Sequence, residues 1–176
     1  MIAFEIKGLD KLKDIISAET VAKAVIATMQ RLSRGAKTEA SSAIRKKYTI
    51  KKKDLDKYIH TIRPRMREGS LVAGIRARGL RLGASYFAMN KSGVSFLQGE
   101  SRSLHGGYVG KWRRQSNRLW VIRRLSNKPL RRESVLGPAV SDMLDDENVR
   151  SNIAKRIDRD AQAIFENQLW RLVQKG

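Results

Sequence analysis

The sequence predicts an α+β fold in which long N-terminal and C-terminal helices pack on a small antiparallel sheet, with a long basic loop or arm rich in glycine and arginine. Three observations predict it. Apolar residues recur at helical spacing near both ends, the middle alternates with a period of two, and one central stretch holds almost no core-forming side chains.

Ile2, Phe4 and Ile6 alternate with polar or small neighbours before Gly8, the pattern of a short half-buried strand. Ser17 or Thr20 can cap the helix that follows. Val21, Val25, Thr28, Leu32, Ala36, Ala40 and Ala43 recur at steps of three and four, which predicts a helix over about residues 20–47. Its alanines suit close packing against another helix or a sheet, and Gly35 is a candidate kink or break. Residues 51–59 read as a short helix with Leu55, Tyr58 and Ile59 apolar. Its first turn holds Lys51, Lys52 and Lys53, which oppose the helix dipole unless an anion lies nearby. Pro64 ends any helix before it.

From Ser70, Leu71, Ala73, Ile75 and Ala77 alternate with Val72, Gly74, Arg76 and Arg78, as a strand requires. Further strand-like runs lie at 84–89, 94–97 and 118–125, the last around Trp120. Residues 98–117 contain Gly106, Gly107 and Gly110 among Ser, Arg and Lys, and read as a mobile arm that orders only on a partner. After Pro138, Ala139, Val140, Met143 and Leu144 make a short helix. Asp145, Asp146, Glu147 and Asn148 then open a final helix along Val149, Ile153, Ile157, Ala161, Ile164, Phe165, Leu169, Leu172 and Val173. No repeat of 20 to 50 residues is present, and the chain reads as one domain over 1–176. Its core is expected at about 1–97 and 118–176, with the arm at about 98–117.

The charge is uneven. Lys and Arg number 37 against 17 Asp and Glu, a formal net charge of +20 on 176 residues. Ten of the cations lie in residues 45–67, against only Asp54 and Asp56, and ten more in residues 102–132, where there is no acidic residue. The first 44 residues (7 basic, 5 acidic) and the last 44 (6 basic, 8 acidic) are close to neutral. Two central blocks therefore carry the excess, and a polyanionic or acidic partner is the natural counterpart. The absence of cysteine excludes disulfides, thiolate metal sites and thiol catalysis. The N-terminus lacks the features of a secretory signal, and no apolar run approaches the roughly 18 residues of a membrane span. The expected protein is soluble and intracellular when made, with no membrane partner.

The candidate surface comprises Arg45, Lys46, Lys47, Lys51, Lys52, Lys53 and Lys57 from the first block, seven cations in thirteen positions. From the second come Lys111, Trp112, Arg113, Arg114, Arg118, Arg123 and Arg124. Aromatics among cations suit stacking and phosphate contact, although Trp120, within Leu-Trp-Val-Ile, reads better as core. No zinc finger, homeodomain or basic zipper accompanies them, so contact with nucleic acid is expected at backbone phosphate. Asp142, Asp145, Asp146 and Glu147 are the only dense carboxylates, and read as helix-opening residues rather than a nuclease metal site. His60 and His105 are far apart in sequence and lack a ligand motif. With no P-loop, G-x-G-x-x-G or G-x-S-x-G, no catalytic, cofactor or metal site is expected, and the chain does not read as an enzyme.

A whole-chain order of motifs accompanies these signals. Gly8-Leu9 follows the short strand; a long Ala-rich helix contains Ala40-Ser-Ser-Ala43; and a basic segment, Tyr48-Thr-Ile-Lys-Lys-Lys-Asp-Leu55, comes next. Then come Arg76-Ala-Arg-Gly-Leu-Arg-Leu82, the Arg/Gly arm, Gly137-Pro-Ala139 and the ending Asn167-Gln-Leu-Trp-Arg-Leu172. This order resembles the minor tail protein Z family of tailed bacteriophages and prophages, the tail-completion proteins. The resemblance implies a non-enzymatic structural protein of the virion, made in the host cytoplasm and placed at the head-proximal end of the tail. There it would complete the tail and join it to the head. By the same analogy its partners are the tail terminator, the tail tube and further copies of itself in a ring, a hexamer by tail symmetry, with DNA passing through the channel. The alternative is a freestanding, non-sequence-specific nucleic-acid-binding protein.

Overall fold

The structure, a computed structural model, describes residues 2–4, 17–67, 70–90, 93–100, 102–103, 107–111, 119–124 and 132–174. Ser17 caps the first helix, α1 (Ala18–Lys47), its hydroxyl accepting from the Thr20 amide at 3.4 Å. Every residue of the predicted stripe is buried, joined by Ala24, Met29 and Ile44. Three polar side chains, Thr28, Ser33 and Ser41, are also buried on α1. The Thr28 and Ser33 hydroxyls donate to the Ala24 and Met29 carbonyls, both at 2.8 Å, so these two oxygens find partners within the helix. Gly35 neither splits nor ends α1. Its missing Cβ faces the Arg156 guanidinium, 3.6 Å from where the carbon would lie, and packing on both sides outweighs its poor propensity of about 1 kcal/mol.

α1 is covered on one side by a sheet and on the other by the long C-terminal helix, α4 (Glu147–Val173). The two helices run antiparallel. Lys47 at the end of α1 meets Asp146 at the start of α4, Glu39 meets Arg156 at 3.0 Å, and Val21, Val25 and Met29 pack with Phe165 and Leu169 at the far end. The predicted α4 stripe is fully buried only at Val149, Ile153 and Ile157. Beyond them Ala161, Ile164, Phe165, Leu169 and Leu172 are half-buried and Val173 is exposed. The short helix α3 (Val140–Asp145) buries Val140, Met143 and Leu144 as expected.

Residues 51–59 depart from the expected helix. Helix α2 holds only Lys52–Leu55, and Ile59 begins a nine-residue strand, β2 (Ile59–Arg67), that runs through Pro64. Four residues with lysines at the start gain little from helix cooperativity, whereas Leu55 and Ile59 are fully buried in the main core. With β1 (Ile2–Phe4) and β3 (Ser70–Ala77), β2 forms an antiparallel sheet of order β1-β3-β2. Its register shifts between Ile62 and Arg65, so Pro64, which has no amide to donate, falls at a bulge on a strand at the end of this order.

The single small sheet expected is instead four small antiparallel sheets among the described residues. β4 (Arg81–Gly83) pairs with β11 (Leu136–Ala139), and β6 (Gly93–Ser95) lies between β5 (Ala88–Asn90) and β7 (Arg102–Ser103). Residues 84–89 are not one strand. Ala84–Tyr86 is a 3-10 turn that buries Ala84 and Phe87, three apart, on one side. The expected arm is also partly strand. β8 (Gly107–Lys111) pairs with β9 (Leu119–Arg124), which pairs in turn with β10 (Arg132–Ser134). Tyr108 and Val109, flanked by glycines, pair with Ile122 and Val121, both of which are buried. Residues 101, 104–106 and 112–117 of that arm lie outside the described residues. No helix among the described residues is long and apolar enough to cross a membrane.

Gly137 sits where β11 passes the edge-to-face Phe87–Phe96 ring pair. A Cβ there would lie 2.6 Å from Phe87 Cε2 and 2.9 Å from Phe96 Cε1. Gly137→Ala is therefore expected to lower stability by about 1–3 kcal/mol in chemical denaturation; an unchanged midpoint would refute this packing.

Candidate polyanion-binding surface

The first basic block is built by consecutive elements. α1 ends at Tyr48, whose extended backbone turns the chain, and its last carbonyls are capped from a distant strand end. Gln98 donates its backbone N–H to Lys47 O (2.8 Å) and its side-chain amide to Arg45 O (3.2 Å) and Tyr48 O (3.4 Å). Arg45, Lys46 and Lys47 thus occupy the last turn, where cations complement the helix dipole. That gives these three a structural role beside any ligand role. α2 then presents Lys52 and Lys53, with Lys51 as its N-cap, and β2 continues with Arg63, Arg65 and Arg67. All ten cations of residues 45–67 are exposed.

Lys57 and Lys47 have carboxylate partners. Lys57 meets Asp54 at 2.9 Å, and Lys47 donates to Asp146 Oδ2. Asp146 is also the N-cap of α4, accepting from the Asn148 amide at 3.2 Å. The hydrogen bond from Lys47 holds the Asp146 carboxyl below the usual carboxylate range, and the same bond raises the Lys47 ammonium above its ordinary value. Of the acidic run, Asp146 and Glu147 open α4 as the sequence suggested, whereas Asp142 lies in the first turn of α3 and Asp145 is its last residue. Among the described residues no group of three or more His, Asp or Glu could hold a metal ion.

The second block is less available. Arg123 lies opposite Glu133 in the β9–β10 register and donates Nε to Glu133 Oε1 at 2.9 Å, with Nη2 bound to the same oxygen. Lys111 and Arg124 are strand residues, Lys111 opposite Leu119 and Arg124 opposite Arg132. Trp112, Arg113, Arg114 and Arg118 lie outside the described residues, as does His105. Trp120 falls within β9 opposite Gly110. The two blocks are not brought together by any ion pair or hydrogen bond among the described residues.

Sequence reasoning missed a set of cations on β2 and β3. In the register, His60 faces Arg76, Arg65 faces Val72 and Arg67 faces Ser70. Since Ser70, Val72, Gly74 and Arg76 alternate with the buried Ala73 and Ile75, these pairs share the face turned away from α1. The alternation of Arg65 and Arg67 was the available signal, hidden by Pro64 and the one-residue slip. Comparison with protein-family models, with curated proteins and with solved structures finds no match.

Two outcomes follow from this geometry. Lys51, Lys52 and Lys53 are exposed and have no carboxylate partner among the described residues, so replacing all three with Gln is expected to leave the melting temperature unchanged or slightly raised. Lys47→Gln is expected to lower it; equal effects would contradict the assignment. Asp146, with its lowered value, contributes stability that is present above the unfolded value of about 4 and lost as pH falls through the lower folded value. The stability gap between wild type and Asp146→Asn, which keeps a capping oxygen, should close as pH drops below about 4. A gap constant over that range would show that the ion pair contributes nothing.

Proposed function

We propose that this chain is a structural virion protein of a tailed phage or prophage, acting in tail completion and head–tail joining at the head-proximal end of the tail. It is not an enzyme. Its basic surface faces DNA in the channel or acidic surfaces of neighbouring subunits, and several copies form a ring with the tail terminator and tail tube as neighbours. The observation that carries the reading is the exposure of all ten cations in residues 45–67 on consecutive elements of a packed body. Net positive charge of this density destabilises an isolated compact chain and is relieved by an acidic counterpart. The order of motifs along the chain, similar to the minor tail protein Z family, adds the virion context.

A second reading, a freestanding nucleic-acid-binding protein, is favoured by the net charge of +20 alone. It expects submicromolar duplex binding with a steep salt slope and no association with tail subunits. Deletion of the gene from its phage or prophage separates the two. The virion reading expects heads and unjoined tails by electron microscopy, with infectivity restored by expression in trans. Normal yields of complete particles from the deletion would sink it.

A further inference from the structure

We infer that the outer face of the β1-β3-β2 sheet is a docking surface for the sugar-phosphate backbone of duplex nucleic acid. This deepens the proposed function by naming which polyanion the chain meets and on which face. Four cationic or titratable positions lie there in one row. His60 and Arg76 stand directly opposite one another, and Arg65 and Arg67 follow on the same face beyond the bulge; all four are exposed. From Ser70 to Arg76 the row covers roughly 20 Å of strand, and alternate residues are spaced roughly 6.6 Å apart.

Protection of a sheet edge explains part of this arrangement and not the rest. Charge and proline on β2, at the end of the strand order, discourage pairing with another chain, which accounts for Arg63, Pro64 and Arg65. Arg76 lies on β3, the central strand, where no edge needs protection. It is exposed on the same face as Arg65 and Arg67, with His60 directly opposite.

A duplex presents one phosphate charge per roughly 1.7 Å of helix axis, a continuous anionic face that can meet Arg65, Arg67 and Arg76 together, whereas protein carboxylates are scattered. Arginine forks bind phosphate through two parallel bonds. Single strands are disfavoured because the paired positions of this face carry Ile62, Val72, Gly74 and Ser70 beside the cations and no aromatic ring on which a base could stack.

The test is a double variant, Arg65→Gln with Arg76→Gln, measured against a duplex of about 20 base pairs across a salt series. Loss of two phosphate contacts should weaken binding about tenfold near 0.1 M salt and lower the slope of log affinity on log salt by roughly 2. Wild-type affinity and slope in a variant that folds normally overturn the inference. An equal loss of binding to polyglutamate also overturns it, since the face would then serve carboxylates. If the variant does not fold, phenylglyoxal modification of the wild-type protein decides: duplex should protect Arg65 and Arg76, and unprotected side chains overturn the proposal. Failure here leaves tail completion intact, whereas normal particles from the gene deletion leave duplex binding intact.

Discussion

Burial of α1 on two sides is the constraint from which the architecture follows. Its stripe is wide because it faces the sheet through one flank and α4 through the other, and its small residues Ala24, Ala36, Ala40 and Ala43 let both neighbours approach closely. No other element is buried over such a length. Ile59 and Ile75 from the sheet, Val140 and Met143 from α3, and Val149 and Ile153 from α4 converge on its C-terminal half. Loss of that convergence would leave strands of three residues with nothing to pack against, since short two- and three-stranded sheets are marginal alone.

The same arrangement decides where charge can go. Carboxylates are scarce, and several are committed to joints of the framework: Asp146 to Lys47, Glu39 to Arg156, Glu133 to Arg123. Each joins elements distant in sequence or adjacent in a sheet. On α2 and β2, exposed cations outnumber carboxylates. The body is thus near-neutral where helices meet and positive where α1 ends and the first sheet turns outward, a separation that a uniformly charged solvated surface would not produce.

Much of this was legible in the chain itself. Both long helices follow from apolar spacing alone, because a stripe repeated over seven or more turns leaves little ambiguity. The capping role of the acidic run was legible for the same local reason. β2 was not, since Pro64 removes a donor and the bulge flips the alternation halfway, so that neither half offers enough residues for a period to show. The outer sheet face stayed hidden with it, because Arg76 acquires meaning only when paired with His60. The β8–β9 hairpin was obscured by glycine, which weakens strand signals without preventing pairing. The distal half of α4 shows the reverse error: its stripe was read correctly, yet Trp170 and Val173 remain 63% and 47% exposed because only the first half of α1 covers that end.

On the proposed function, the clustered cations oppose compactness in isolation and are offset by an external polyanion. Thermal unfolding of the wild-type protein at low ionic strength, with and without a short DNA duplex, tests it most directly. Duplex is expected to raise the melting temperature by several degrees, with the rise vanishing near 0.5 M salt as phosphate contacts are screened. A melting temperature indifferent to duplex at low salt would contradict it.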